Sequence, residues 1–181
     1  MSAALMTEPI AEASPLSTAN VAGAFYLASI LTGGAAAFVR WTLFLSGDSA
    51  ATNILSHQQL FWMVFAADLI STACYFAATL LFYEMFNSVS KCFSWLTAFF
   101  SFLGCAIAAF ASLFHVAGFV ILRGAQYLKI LDLEPLRSLA LSCLTLRTHT
   151  YNISLIFFGV SCCLISFIIF KSTFLPRFEG Q

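Results

Sequence analysis

Apolar residues in this chain neither alternate with polar ones nor come in short bursts. They run on. Four long runs stand out: 21–39 closed by Arg40, 60–83 closed by Glu84, 93–122 closed by Arg123, and 151–170 closed by Lys171. A helix needs about 20 mainly apolar residues to cross a bilayer. A barrel strand takes about 10 and alternates. The pattern therefore predicts an all-α integral membrane protein, a four-helix transmembrane bundle. Its spans are expected over about 21–45, 59–86, 92–123 and 150–171, by run length.

The third run would be about 45 Å long as a helix, more than a hydrocarbon core of roughly 30 Å. It must tilt or project beyond the bilayer. Between the third and fourth runs lies "GAQYLKILDLEPLRSLALSCLTLRTHT". Pro135 suits a first helical turn, with Asp132 and Glu134 near the positive end. Leu136, Leu139, Cys143 and Leu146 follow at helical spacing. A short interfacial helix before the fourth span is predicted, either lying in the interface or running into that span. No repeat or Gly/Ser linker divides the chain. The reading is an exposed N-terminal tail over 1–20, one transmembrane domain over 21–178, and a C-terminal end at 179–181.

Composition sharpens this picture. The 181 residues are 61% hydrophobic and 9% charged, where a soluble domain carries about a quarter charged residues. Lipid is the expected solvent and the bilayer the first partner, which points to a multi-pass protein of the cell membrane. Net charge is zero, with no basic block for nucleic acid. The first twenty residues hold Glu8 and Glu12 but no Lys or Arg, unlike the charged start of a signal peptide. Six cysteines form no CxxC pair and fall mostly in apolar runs, as small hydrophobes do.

Small and polar residues form stripes on the spans. The first run offers Ala22, Tyr26, Ser29, Gly33, Ala37 and Arg40, and the second Asp68, Ser71, Thr72, Tyr75 and Thr79. The third offers Ser94, Thr97, Ser101, Gly104, Ala108, Ala111, His115 and Gly118. The fourth offers Asn152, Gly159, Cys163 and Ser166. Steps of three, four and seven put each set on one helical face, where small residues let helices approach in a bilayer. Seams between helices account for these stripes; a polar path is the sharper alternative.

Alternating the spans sorts the ionisable residues by depth. Asp68 falls about 12 Å below Leu60, and His115 about 10 Å from the end of its span. Arg40, Asp68, His115, His149 and Asn152 thereby gather in one leaflet as a candidate intramembrane polar cluster. A carboxylate in lipid needs a partner or water, and Arg40 is the nearest cation by depth. The loop 47–57 lies on the same side. Gly47 can turn the chain, and Asp48 or Ser49 can cap a short helix through Ala50 to Leu55. That helix would present Asn53 and His57 towards Asp68 and His149. Asp48, Asn53 and His57 are thus candidate lid residues. Lys and Arg are nearly balanced between the two sides, so the charge rule assigns no orientation.

No nucleophile motif, HExxH, phosphate loop or zinc spacing is present. No catalytic residue, metal or cofactor is expected. The leading reading is a non-enzymatic membrane protein, an accessory subunit with another membrane subunit or a second copy as partner. One alternative is a small transporter or proton-linked carrier using Asp68. Another is a membrane-embedded enzyme or haem protein using His115 and His149, since two imidazoles can ligate haem iron.

"AGAFYL" at 22–27, "GDSAATNIL" at 47–55, "AADL" at 66–69 and "HTYNISLIFFGVSCCLISFIIFKSTFLPRF" at 149–178 stand in a telling order. Together they resemble the bacterial multi-pass membrane proteins grouped as domain of unknown function family 4386, over about residues 21 to 178, most of the chain. The resemblance implies a multi-pass membrane fold and carries no catalytic residue. Members usually have a basic N-terminal tail, where this chain is acidic, and continue past "LPR" with further spans. It therefore implies a shortened member, whose cavity stands open or is closed by another subunit.

Overall fold

The computed structural model describes residues 15–44, 50–87, 89–127 and 133–174. All regular structure among them is helical: α1 (Pro15–Val39), a π-helical turn (Arg40–Phe44), α2 (Ala50–Ser56), α3 (Gln58–Asn87), α4 (Lys91–Tyr127) and α5 (Leu133–Phe174). Four helical stretches are long and apolar enough to cross a membrane: Ser17–Phe44, Gln58–Asn87, Lys91–Gly124 and Glu134–Phe170. They mark the chain as a membrane protein. The first helix begins at Pro15, ahead of the expected span, because nothing from Pro15 onward breaks it and Pro is at home in a first turn.

The helix expected near Pro135 is not a separate short element. It runs unbroken into the fourth span as α5, 42 residues long. Of the two courses open to it, it takes the second: no Gly or Pro interrupts 136–158. Glu134 and Arg137 form an exposed ion pair at its start, 3.5 Å apart. At 37 and 42 residues, α4 and α5 reach about 55 and 63 Å. Their hairpin therefore projects beyond a hydrocarbon core of about 30 Å.

α4 and α5 make the principal seam. α4 buries Ser94, Ser101, Ala108, His115 and Leu122 at intervals of seven, with Thr97, Gly104, Ala111 and Gly118 between them. This is the stripe read from the third run. α5 answers with Ala140, Arg147, Ser154, Ser161 and Ile168, also seven apart. A seven-residue repeat keeps one seam facing its partner. The two run antiparallel in fixed register: Ser101 bonds Ser161, Gly104 meets Phe158, and Gly118 meets Leu144. A Cβ on Gly104 would stand 2.5 Å from the Phe158 ring, so glycine is what allows this approach.

The fourth run's stripe is corrected here. Asn152, Gly159, Cys163 and Ser166 are exposed on the outer flank. Ser154 and Ser161 are small and polar too, and they are the buried ones; Ser161 finds its partners on α4, while Ser154 donates back to the Tyr151 carbonyl. α1 packs on α3 in turn. Ser71 Oγ donates to the Ser29 carbonyl at 2.7 Å, and a Cβ on Gly33 would meet Ser71 Oγ at 2.6 Å. Ala22 is buried on α1 as the stripe requires, and further along it is Ala36, not Ala37, that is buried. The outward surface is phenylalanine, leucine, isoleucine and tryptophan, including Phe38, Trp41, Trp95 and Phe170, as lipid contact requires.

Candidate functional site

Each of the four membrane-spanning stretches sends one polar side chain to a common level. Arg40 comes from the π turn ending α1, Asp68 from α3, His115 from α4 and Arg147 from α5. π turns are rare and recur at functional sites. The Arg40 and Arg147 Nη2 groups both donate to a single oxygen, Asp68 Oδ2. The Asp68 side chain is 10% exposed and that of Arg147 3%. Arg147 also lies over the Tyr151 ring, 5.6 Å from its centroid, where the ring face offsets part of its charge.

His115, 1% exposed, stacks on Phe61 at 4.0 Å between ring centroids and lies near Phe65. Neither of its nitrogens has a hydrogen-bond partner within the protein, and the same holds for Nε of Arg40 and of Arg147. These three residues help line a small void together with Phe44, Phe61 and Leu144. About 10 Å³ of it is open to the centre of a water molecule, room for one particle of that size.

On the other side of the charged residues runs a groove of about 340 Å³ between α1, α3 and α5. Its lining includes Ala37, Ser71, Thr72 and Tyr151, each within one helical turn of a member of the triad. The Arg40–Asp68–Arg147 triad thus stands as a polar partition between a largely apolar groove and a small chamber.

The sequence reading brings Arg40, Asp68 and His115 to this level, and the structure places them together. It does not bring in His149 or Asn152, both exposed on α5. Depth alone located them; phase decides. At about 100° per residue they lie about 200° and 140° around the helix from Arg147, which takes the inward position. The imidazoles of His115 and His149 are accordingly not brought together. Among the described residues no group of three His, Cys, Asp or Glu is placed to hold a metal ion.

Arg147 is the residue sequence reasoning missed. It falls ahead of the apolar run and so reads as an interfacial cation. Its interval of seven to Ser154 and Ser161 was the available signal.

The lid takes a different form from the one expected. A short helix does follow the loop, as α2, but its contact with the bundle is apolar. Ile54 is fully buried against Phe44, Phe61 and Leu144. Asn53 donates from Nδ2 to the Leu43 carbonyl at 3.1 Å, tying α2 back to the end of the π turn. His57 is exposed and bonds locally to Ser56. Neither faces Asp68. An apolar residue suits this place because the triad already satisfies Asp68. Gly47, Asp48 and Ser49 lie outside the described residues.

Compared with known proteins, residues 21–180 match the family model described as Domain of unknown function (DUF4386). No curated protein and no solved structure matches the chain.

Proposed function

The chain belongs to the DUF4386 family, a grouping by sequence, and from that premise we propose that it is a non-enzymatic accessory subunit of a bacterial cell membrane. One observation carries the reading: polar side chains join each of its long helices to a neighbour. Arg40, Asp68 and Arg147 tie α1, α3 and α5. Ser101 and Ser161 tie α4 to α5. Ser29 and Ser71 tie α1 to α3. Tyr26 and Cys162 tie α1 to α5 at 3.3 Å. Such a molecule is a fixed platform for another membrane chain, or for a second copy of itself.

The carrier reading draws on the groove, whose Ser71 and Thr72 come within a turn of Asp68. A carrier using Asp68 must break two ion pairs in each cycle, which in a low-dielectric interior is costly.

The test is purification from native membranes after mild cross-linking, paired with flux measurements in proteoliposomes. A stoichiometric membrane partner or a defined homo-oligomer is expected. A lone monomer giving proton-driven flux that Asp68→Asn abolishes would overturn the proposal in favour of the carrier.

A further inference from the structure

Charge balance around the triad is incomplete. A guanidinium keeps its proton in proteins, so Arg40 and Arg147 bring two positive charges to one carboxylate. Among the described residues nothing compensates the second of them. Among the described residues the only other carboxylates are Glu84 and Glu134, 16 residues along α3 from Asp68 and 13 along α5 from Arg147. Those separations are about 24 and 20 Å along the helices, beyond any side chain's reach. A net buried charge inside a membrane bundle costs several kcal/mol unless it is paired. The Tyr151 ring offsets only part of it.

The chamber beside the triad has the chemistry to complete the balance. It is walled by Phe44, Phe61 and Leu144, and it borders two arginines with unpartnered Nε groups and a histidine with both nitrogens unpartnered. An imidazole supplies one N–H in either neutral tautomer. These groups are donors in surplus, which is what an anion needs and what a water, itself needing acceptors, does not relieve electrically. The free space of about 10 Å³ takes one atom of roughly water size. Phosphate, sulfate and carboxylates are too large.

We propose that the chamber between Arg40, His115 and Arg147 is a binding site for one monatomic anion, a halide, which neutralises the surplus charge of the triad. The ion is held there as a structural counter-charge.

The test is thermal unfolding of the full chain in lipid nanodiscs, in chloride, bromide, gluconate or sulfate at matched ionic strength. A ligand that binds only the folded state raises its unfolding temperature in a concentration-dependent way. Both halides should therefore raise the midpoint saturably, with gluconate and sulfate giving no rise. Arg147→Gln removes the surplus charge, and halide dependence should vanish. Should that variant fail to fold, His115→Phe keeps the stack on Phe61 and removes a donor. Its halide midpoint should then rise about tenfold, as expected for one lost hydrogen bond to an ion.

An equal rise in sulfate would mean general screening and overturn the proposal. So would an unchanged halide midpoint in His115→Phe. Equal stability in all four salts, with Asp48→Asn unfolding the protein, would assign the counter-charge to that carboxylate and also overturn it.

Discussion

Asp68 accepts from two guanidiniums through one oxygen, and this asymmetry ranks the consequences of substitution. Asp68→Asn leaves two buried cations with no carboxylate between them. Breaking a buried pair this way costs about 3–5 kcal/mol. Arg147→Gln instead leaves Arg40 and Asp68 as a matched pair and should cost less, about 1–3 kcal/mol. Thermal unfolding in nanodiscs should therefore give wild type above Arg147→Gln above Asp68→Asn, and the reverse order of the two variants would refute the triad. At this scale the sequence makes Asp68 and Arg40 partners through depth, since both are polar groups surrounded by lipid-compatible neighbours. Arg147 is hidden by a boundary effect: a cation at the edge of an apolar run looks like a residue in water.

Among the elements, α4 and α5 carry the most specific packing. Gly104 sits where any side chain would drive into the Phe158 ring, whereas Gly34 on α1 has nothing within 4 Å of a Cβ position. Gly104→Val should destabilise by about 1–3 kcal/mol through overpacking. Gly34→Ala should stay within about 0.5 kcal/mol. Denaturant titration of the two variants side by side checks this, and equal effects would contradict the described register. The stripe of α4 is legible in sequence because its small residues recur without competition around the helix. α5 carries two stripes of small and polar residues, Asn152–Gly159–Cys163–Ser166 and Ser154–Ser161. Both satisfy the spacing rule, and only the partner helix distinguishes them.

For the whole molecule, four crossings place the α3–α4 turn on one side and the start of α5 on the other. Cys92, exposed just after that turn, should react with a membrane-impermeant thiol reagent from one face only. A cysteine introduced at the exposed Glu134, in a background lacking the six native thiols, should react only from the opposite face. Labelling of both from the same face would require an odd number of crossings between them to be abandoned. The lid belongs to this scale as well. Replacing Ile54 with Ala removes a fully buried side chain from the junction of α2 with the bundle and should cost about 2–5 kcal/mol. Faster amide exchange should then be confined to α2 and the π turn. Loss spread evenly over all four spans would mean that α2 is part of the core and not a lid.

The amino-acid sequence by itself determined that the chain is helical, that four stretches are long enough to cross a bilayer, and at what depth its rare charges lie. Those properties follow from run length and rise per residue, which are local. Tertiary structure alone decided which face of α5 turns inward, and hence that Arg147 rather than His149 or Asn152 joins Asp68. It also decided that Ile54 rather than Asn53 or His57 closes the bundle. The reason is physical: a helix's rotation about its axis is set by what packs against it. In a chain this apolar, hydrophobicity distinguishes the inside from the lipid only weakly. Phase therefore comes from hydrogen bonds and close contacts between helices, and those exist only once the helices have met.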